Sequence, residues 1–163
     1  MTTPITGQLG LSLYDQVAAL VDPWEGSLER RYCHLCNVAA LLWAHFSEVN
    51  WTGFYVREGI SRHLVLGPFQ GKVACTDIDF ERGVCGKAAT TGQSQLVKDV
   101  HLFPGHIACD GASNSELVVP IVDCCGQVVA VMDLDSPLVD RFTEDDQISL
   151  ERVASLLSQR LWS

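Results

Sequence analysis

The hydrophobic positions along the chain change their period twice, and each change marks a different kind of element. Apolar residues recur at helical spacing near both ends, whereas β-branched and aromatic runs dominate the middle. The helical spacing predicts helices over 9–21, 27–47 and 142–162, and a short helix after Gly83. The β-forming runs predict strands over 50–58, 62–69, 94–99, 115–123 and 127–136. Terminal helices around antiparallel strands predict an α+β fold with three layers.

Two of these runs, 115–123 and 127–136, flank a Cys-Cys-Gly turn and predict the central hairpin of the sheet. Pro120 has no N–H group to donate, so we expect it at a sheet edge or a bulge. Thr143 followed by Asp146 predicts a capping pair at the start of the last helix, where acidic residues also suit the helix dipole.

The length of 163 residues suits one domain. We predict a single domain over 1–163, with 1–30 as an N-terminal helical extension and 31–163 as the core. The formal net charge of −9 disfavours a nucleic acid or an anionic membrane surface as a partner. The apolar runs are too short to span a bilayer, and the N-terminus lacks the pattern of a signal peptide. We therefore expect a cytoplasmic protein.

Seven cysteines are many for such a chain. In a reducing compartment they are expected to be buried, metal-binding or catalytic rather than a disulfide framework. Cys75, Cys85 and Cys109 lie beside small residues in predicted turns and loops, where a thiol is accessible. One such cysteine alone is more often a small buried side chain, but three together favour chemistry. The helix predicted after Gly83 would lower the pKa of the Cys85 thiol through its N-terminus.

The other cysteines give weaker signals. Cys33 and Cys36 lie inside a predicted helix near His34, but a single CxxC pair without a second pair indicates packing more often than zinc. Cys124 and Cys125 lie at a tight turn, and we assign them no role. We expect no metal site.

Three carboxylates converge at one end of the predicted hairpin. Asp133 and Asp135 point to the same face of their strand because they are two residues apart. Glu116 begins the neighbouring strand, so the hairpin brings it beside both aspartates and beside the Cys109 loop. The face could simply be solvated, or Asp135 could cap the turn before Pro137; alternatively, crowding raises the carboxyl pKa values. The cluster could then protonate an oxygen that a thiol displaces, or bind an amine.

Trp51 and Tyr55 lie four residues apart on one predicted strand and therefore share a face. Such aromatic pairs often only pack in a core. The more specific interpretation is an aromatic wall for a small apolar group such as a methyl.

Three segments of the chain resemble one enzyme family. GPFQGKVACTDIDFERGVCG, DVHLFPGHIACDGASNSELVVPI and VMDLDSP closely resemble the free methionine-(R)-sulfoxide reductases, which are built on a GAF domain. The resemblance covers roughly residues 30–160. It departs at VDCCGQ, where the turn is one residue longer and carries the added cysteine pair. The resemblance implies a GAF-like fold and a thiol-dependent reductase.

The resemblance also implies roles for individual residues. Cys109 matches the nucleophile and Cys75 the resolving thiol, while Cys85 is the third family cysteine and could itself resolve or attack. Trp51 and Tyr55 match the wall around the substrate methyl. The acidic residues that hold the sulfoxide oxygen and the substrate amine match Glu116, Asp133 and Asp135.

The implied reaction reduces free L-methionine-(R)-sulfoxide to L-methionine. Cys109 becomes a sulfenic acid and then forms a disulfide, most simply with Cys75, which thioredoxin or a similar dithiol reduces. Glu116 or Asp135 supplies the proton, no cofactor is needed, and a homodimer is expected. Two alternatives stay open at this point: a GAF module that binds a small ligand without turnover, and a redox sensor with a regulatory disulfide.

Overall fold

The computed structural model describes residues 11–21, 27–105 and 111–163. Their helices and strands follow one another along the chain as α1 Leu13–Leu20, α2 Leu28–His45, β1 Trp51–Arg57, β2 His63–Gly71, β3 Asp77–Asp79, α3 Gly83–Thr91, β4 Gln95–Val97, a 3-10 turn Val100–Leu102, β5 Ser115–Val122, β6 Val128–Ser136 and α4 Glu144–Leu161. The predicted α+β class is confirmed. One strand was not predicted: β3 lies where the sequence suggested a turn.

The strands form one antiparallel sheet of six in the order β3-β2-β1-β6-β5-β4. The predicted hairpin is therefore β5 with β6, and β1 pairs along the other side of β6. Strand β4 pairs with β5 only as far as Val118, so Pro120 lies beyond it on an open edge of β5, as expected of a residue without an N–H group. A register shift between Ile121 and Val122 follows directly.

The helices cover the two faces of the sheet unequally. Helices α1, α2 and α4 cover one face, where their apolar stripes and the inward residues of β1, β5 and β6 form the larger core. Of the described helices, α3 alone covers the other face, over a second core that includes Trp51, Tyr55 and Val131. Because side chains alternate along each strand, the predicted site residues that lie on strands project to this second face, namely Trp51, Tyr55, Glu116, Asp133 and Asp135.

The helix ends follow their local sequence. Thr143 and Asp146 form the predicted capping box of α4: the Asp146 N–H donates to the Thr143 hydroxyl, and the Thr143 N–H donates to the Asp146 carboxylate. Helix α1 buries Leu13 and Val17 in the same core as α2 and α4, and the boundary predicted at residue 30 stays a prediction. No helix in the described part of the chain is long and apolar enough to cross a membrane.

Candidate functional site

The register of three strands builds the floor of the candidate site. Trp51 of β1 is paired with Asp135 of β6, and Asp135 is paired with Glu116 of β5, so these residues form one row across the sheet. In the next row on the same face, Gly53 is paired with Asp133. The pairing therefore brings together the three predicted carboxylates, as the hairpin argument required.

Aromatic rings form one side of this floor. The Trp51 ring stacks between Phe69 and Tyr55, with centroid separations of 5.3 Å and 5.7 Å. Gly53 lets Phe69 approach, because a Cβ atom at position 53 would lie 2.4 Å from the Phe69 Cβ. The Tyr55 hydroxyl donates to the Cys75 carbonyl oxygen at 3.1 Å. The wall is therefore tied directly to the loop that carries one of the predicted redox cysteines.

The carboxyl groups are shielded from solvent and crowded. Glu116 and Asp133 are buried, with 6% and 5% of their surface exposed, and Asp135 is half-buried. Burial and then the charge of Asp135 raise the pKa of Glu116 well above its ordinary value of 4.5. Burial and then the charge of Glu116 do the same to the pKa of Asp133. The site therefore holds carboxyl protons at pH values where exposed carboxyls have lost theirs.

Cys85 differs from its predicted setting. The sequence suggested an accessible thiol with a lowered pKa, but Cys85 is buried in the first turn of α3, with 4% of its surface exposed. Burial, followed by the charges of Asp133 and Glu116, raises the pKa of its thiol well above 9.0. These effects outweigh the helix N-terminus. The Cys85 thiol stays protonated and donates to Asp133 Oδ2 at 3.3 Å.

One acceptor in this cluster points to a ligand. Asp133 Oδ1 is buried and has no hydrogen-bond partner among the described residues. A buried acceptor without a donor is costly, so a donor from a bound molecule would relieve the cost. The ligand atoms of Cys85, Glu116 and Asp133 lie within 4.8 Å of one another, a spacing that a cation could bridge. The raised pKa values of all three groups favour retained protons instead.

The opposite wall of the site has the reverse polarity. Helix α3 begins at Gly83 after Arg82, whose side chain cannot cap it, and Gly86 is the first residue to donate to a carbonyl of the preceding turn. The N–H groups of Gly83, Val84 and Cys85 thus have no hydrogen-bond partner in the described part of the chain. They form an electropositive helix end facing the three carboxyls.

A cavity of about 550 Å³, including the space that opens to solvent, lies between these walls. Its described lining comprises the aromatic, acidic, thiol and helix-end residues above together with residues of the Cys75 loop, namely Trp51, Tyr55, Val73, Ala74, Ile78, Arg82, Gly83, Val84, Cys85, Ser113, Glu116, Asp133 and Asp135. Arg82 is the only cationic residue among them, and its guanidinium has no hydrogen bond or ion pair within the described ranges. Sequence reasoning missed Arg82, although its place just before the helix-starting Gly83 was a usable signal.

The remaining cysteines divide into three settings. Cys75 is half-buried between β2 and β3 and is disulfide-bonded. Cys109, the predicted nucleophile, lies outside the described residues. The other four are exposed free thiols, namely Cys33, Cys36, Cys124 and Cys125. The expectation that the cysteines of the CxxC pair pack in a core is wrong, because both side chains face solvent from α2.

Comparison with known proteins supplies an independent view of the same region. The chain matches the family model of the GAF domain over residues 33–161. The free methionine-R-sulfoxide reductase of Escherichia coli (strain K12) is 48% identical to it, covering 78% of this chain and 75% of that protein. The protein of the same name from Saccharomyces cerevisiae is 45% identical, covering 78% and 73%.

A solved structure agrees over most of the fold. The X-ray structure of free methionine-R-sulfoxide reductase from Neisseria meningitidis in complex with its substrate superposes with a TM-score of 0.80. Its sequence is 39% identical, and the match covers 92% of this chain and 84% of that one.

Proposed function

The chain belongs to the GAF-domain family of free methionine-R-sulfoxide reductases, and from that premise we propose that it reduces free L-methionine-(R)-sulfoxide to L-methionine in the cavity beneath α3. One observation carries the proposal within the structure itself. A buried, proton-holding cluster of Glu116 and Asp133 lies beside an aromatic wall and opposite an electropositive helix end. The substrate would use all three features: the acidic cluster for the sulfoxide oxygen, the aromatic wall for the methyl group, and the helix end for the carboxylate of the amino acid.

The first chemical step requires a proton on the sulfoxide oxygen, which is otherwise a poor leaving group. Glu116 is the better supported donor, because burial and the charge of Asp135 keep it protonated. In the proposed step the sulfur of Cys109 attacks the substrate sulfur, the substrate S–O bond breaks as the protonated oxygen passes to the cysteine sulfur, and the transient S–S bond breaks as methionine departs. The oxygen ends on Cys109 as a sulfenic acid, the cysteine sulfur is oxidised by two electrons, and methionine leaves reduced.

The second step closes a disulfide. Cys75 attacks the sulfenic acid of Cys109, the S–S bond forms, and the oxygen leaves as water. The disulfide-bonded state of Cys75 supports its role as the resolving thiol. Cys85 is a poor candidate for either role, because its thiol is buried and its pKa is raised. Its hydrogen bond to Asp133 instead suits a role in orienting that carboxyl.

The polarity of the cavity supports selection of a free amino acid. Asp135, whose negative charge raises the pKa of Glu116, suits an α-ammonium group, and the unpartnered oxygen of Asp133 lies beside it. The free N–H groups at the start of α3 and the guanidinium of Arg82 suit an α-carboxylate. A methionine sulfoxide residue within a peptide has neither charge. It would leave the acidic groups and the electropositive helix end of the cavity without their partners, so it should bind poorly.

The proposed function also involves a second protein and a second copy of this chain. We propose thioredoxin or a similar dithiol as the electron donor, which restores both thiols by exchange. We also propose a homodimer, since the exposed side of α2 presents Leu28 and Trp43 to solvent, with 55% and 39% of their surfaces exposed. Light scattering on the purified chain tests the dimer independently of activity.

The test is turnover of free methionine-(R)-sulfoxide with thioredoxin and its reductase, alongside the (S) epimer and a peptide-bound sulfoxide. We expect consumption of the free (R) form alone, and loss of turnover in Cys109→Ser. Turnover that survives in this variant would move the attack to another thiol. A reduced wild-type protein that binds the sulfoxide without consuming it would instead support a ligand-sensing GAF module.

A further inference from the structure

The turn that joins β5 to β6 holds two neighbouring thiols in a fixed arrangement. The Gly126 N–H donates to the Asp123 carbonyl, and Gly126 adopts φ of +78°, which suits glycine. The Asp123 carboxylate accepts from the N–H groups of Cys125 and Gln127 at 2.9 Å and 2.8 Å. A further backbone bond runs from the Asp123 N–H to the Gln127 carbonyl at 2.9 Å, so the Asp123 side chain and two backbone bonds fix the loop that carries Cys124 and Cys125.

The two sulfur atoms are spaced as a pair of ligands would be. The Cys124 and Cys125 Sγ atoms lie 4.0 Å apart, and both side chains are exposed. Two thiolates bound at about 2.3 Å to one tetrahedral ion lie about 3.8 Å apart. Only a few tenths of an ångström of movement would therefore bring both sulfurs onto one ion. A preformed pair loses little conformational entropy on binding.

The local charge also favours a cation. Asp123 places a carboxylate next to the two thiols, and the chain as a whole carries a formal charge of −9. Thiolate ligands select soft or borderline ions over Mg²⁺ or Ca²⁺. We propose that Cys124 and Cys125 form a two-thiolate binding site for a thiophilic divalent cation of the Zn²⁺ and Cd²⁺ class. Binding displaces both thiol protons to solvent and leaves two coordination positions open to water or other ligands.

This site is separate from the catalytic cavity. Val122 at the turn lies six positions after Glu116 along β5, a distance of about 20 Å in an extended strand. No residue of the turn lines the cavity. Occupancy of the turn site is therefore expected to leave the reductase reaction unchanged, and the proposal stands whether or not the proposed reductase function is correct.

Cadmium titration of the reduced full-length protein tests the proposal, because thiolate-to-cadmium charge transfer gives an ultraviolet band proportional to the bound thiolates. Three proteins are compared: the wild type, the Cys124→Ser, Cys125→Ser double variant, and a matched Cys33→Ser, Cys36→Ser double variant. The matched control removes the other exposed pair, which lies on α2. The cysteines of the cavity are the same in all three proteins, so their contribution cancels in the comparison.

We expect the Cys124→Ser, Cys125→Ser variant to lose the part of the ultraviolet band that corresponds to two thiolates per chain. Its affinity for cadmium should fall at least 100-fold. The Cys33→Ser, Cys36→Ser control should keep the wild-type band and the wild-type affinity. Circular dichroism verifies that the variants fold. A band that survives loss of Cys124 and Cys125, or that disappears only with loss of the α2 pair, would overturn the proposal. Equal titrations for all three proteins would overturn it as well.

Discussion

Replacing Glu116 by Gln should make the protein more stable and at the same time nearly inactive. The side chain keeps its size and a hydrogen-bonding capacity but loses the ability to carry charge or a transferable proton. Glu116 is buried, and its pKa is raised by burial and then by Asp135. An ionisable group held in such surroundings costs folding free energy whenever the solution pH would ionise it in the unfolded chain.

The direction and size of the stability change follow from proton linkage. Between the ordinary value of 4.5 and the raised folded value, the folded state binds more protons than the unfolded state. Stability of the wild type therefore falls as the pH rises through this window, by at most about 1.4 kcal/mol per pH unit for one group. Asp133 adds to the same trend, because Glu116 contributes to its raised pKa. In the Glu116→Gln variant, position 116 no longer titrates and no longer raises the pKa of Asp133, so the stability should fall less steeply with rising pH.

The catalytic loss has a separate origin. A positioned general acid contributes about 10²- to 10⁴-fold to a rate, or roughly 3–5 kcal/mol of activation free energy. We therefore expect Glu116→Gln to lower kcat by that factor while the protein becomes more resistant to denaturant at pH 7 than the wild type.

Urea unfolding at a series of pH values from 4 to 8, together with steady-state turnover, measures both effects. Glu58→Gln is the matched control, since Glu58 is exposed just after β1 and should alter neither slope nor rate. An unchanged pH slope in Glu116→Gln would show that the buried carboxyl is not the source of the stability loss. Turnover within tenfold of the wild type would remove Glu116 as the proton donor.

Three further substitutions test other parts of the structure. Arg82→Met should raise KM for methionine sulfoxide about tenfold or more, because it removes a charged partner of the substrate carboxylate. The kcat/KM for methionine sulfoxide amide, which lacks that carboxylate, should stay unchanged. An equal loss for both substrates would refute this assignment. Gly53→Ala should destabilise the fold by about 1–3 kcal/mol in thermal unfolding, because its Cβ would lie 2.4 Å from a side-chain atom of β2. Thr143→Ala should cost about 1 kcal/mol by removing the capping box of α4.

Each stability prediction has a control within the chain. Gly111→Ala adds a Cβ that meets no atom of the described residues within 4 Å and should leave unfolding unchanged. Thr90→Ala removes an exposed threonine hydroxyl from α3 without removing a cap. A loss at either control equal to that at Gly53 or Thr143 would contradict the contacts on which the predictions rest.

Most helices and strands of this protein, and the convergence of its carboxylates, were determined by local pattern; β3 was not. Two β-forming runs, 115–123 and 127–136, around a short turn predicted a hairpin, and the hairpin brings the start of the first strand, with Glu116, beside the end of the second, with Asp135. The same parity put Trp51 and Tyr55 on one face. The capping box at Thr143 was readable because it involves only neighbouring residues. These features depend on spacing along the chain, so the sequence was sufficient to predict them.

The protonation of the site and the polarity of its walls depend on groups that are distant in sequence. Cys85 looked accessible and activated in its own segment, yet packing α3 onto β6 buries it against Asp133 and raises its pKa. The free helix end beside Arg82 matters only because it faces the carboxyls of other strands. Desolvation and Coulomb interactions depend on distance through space, which the tertiary structure alone decides.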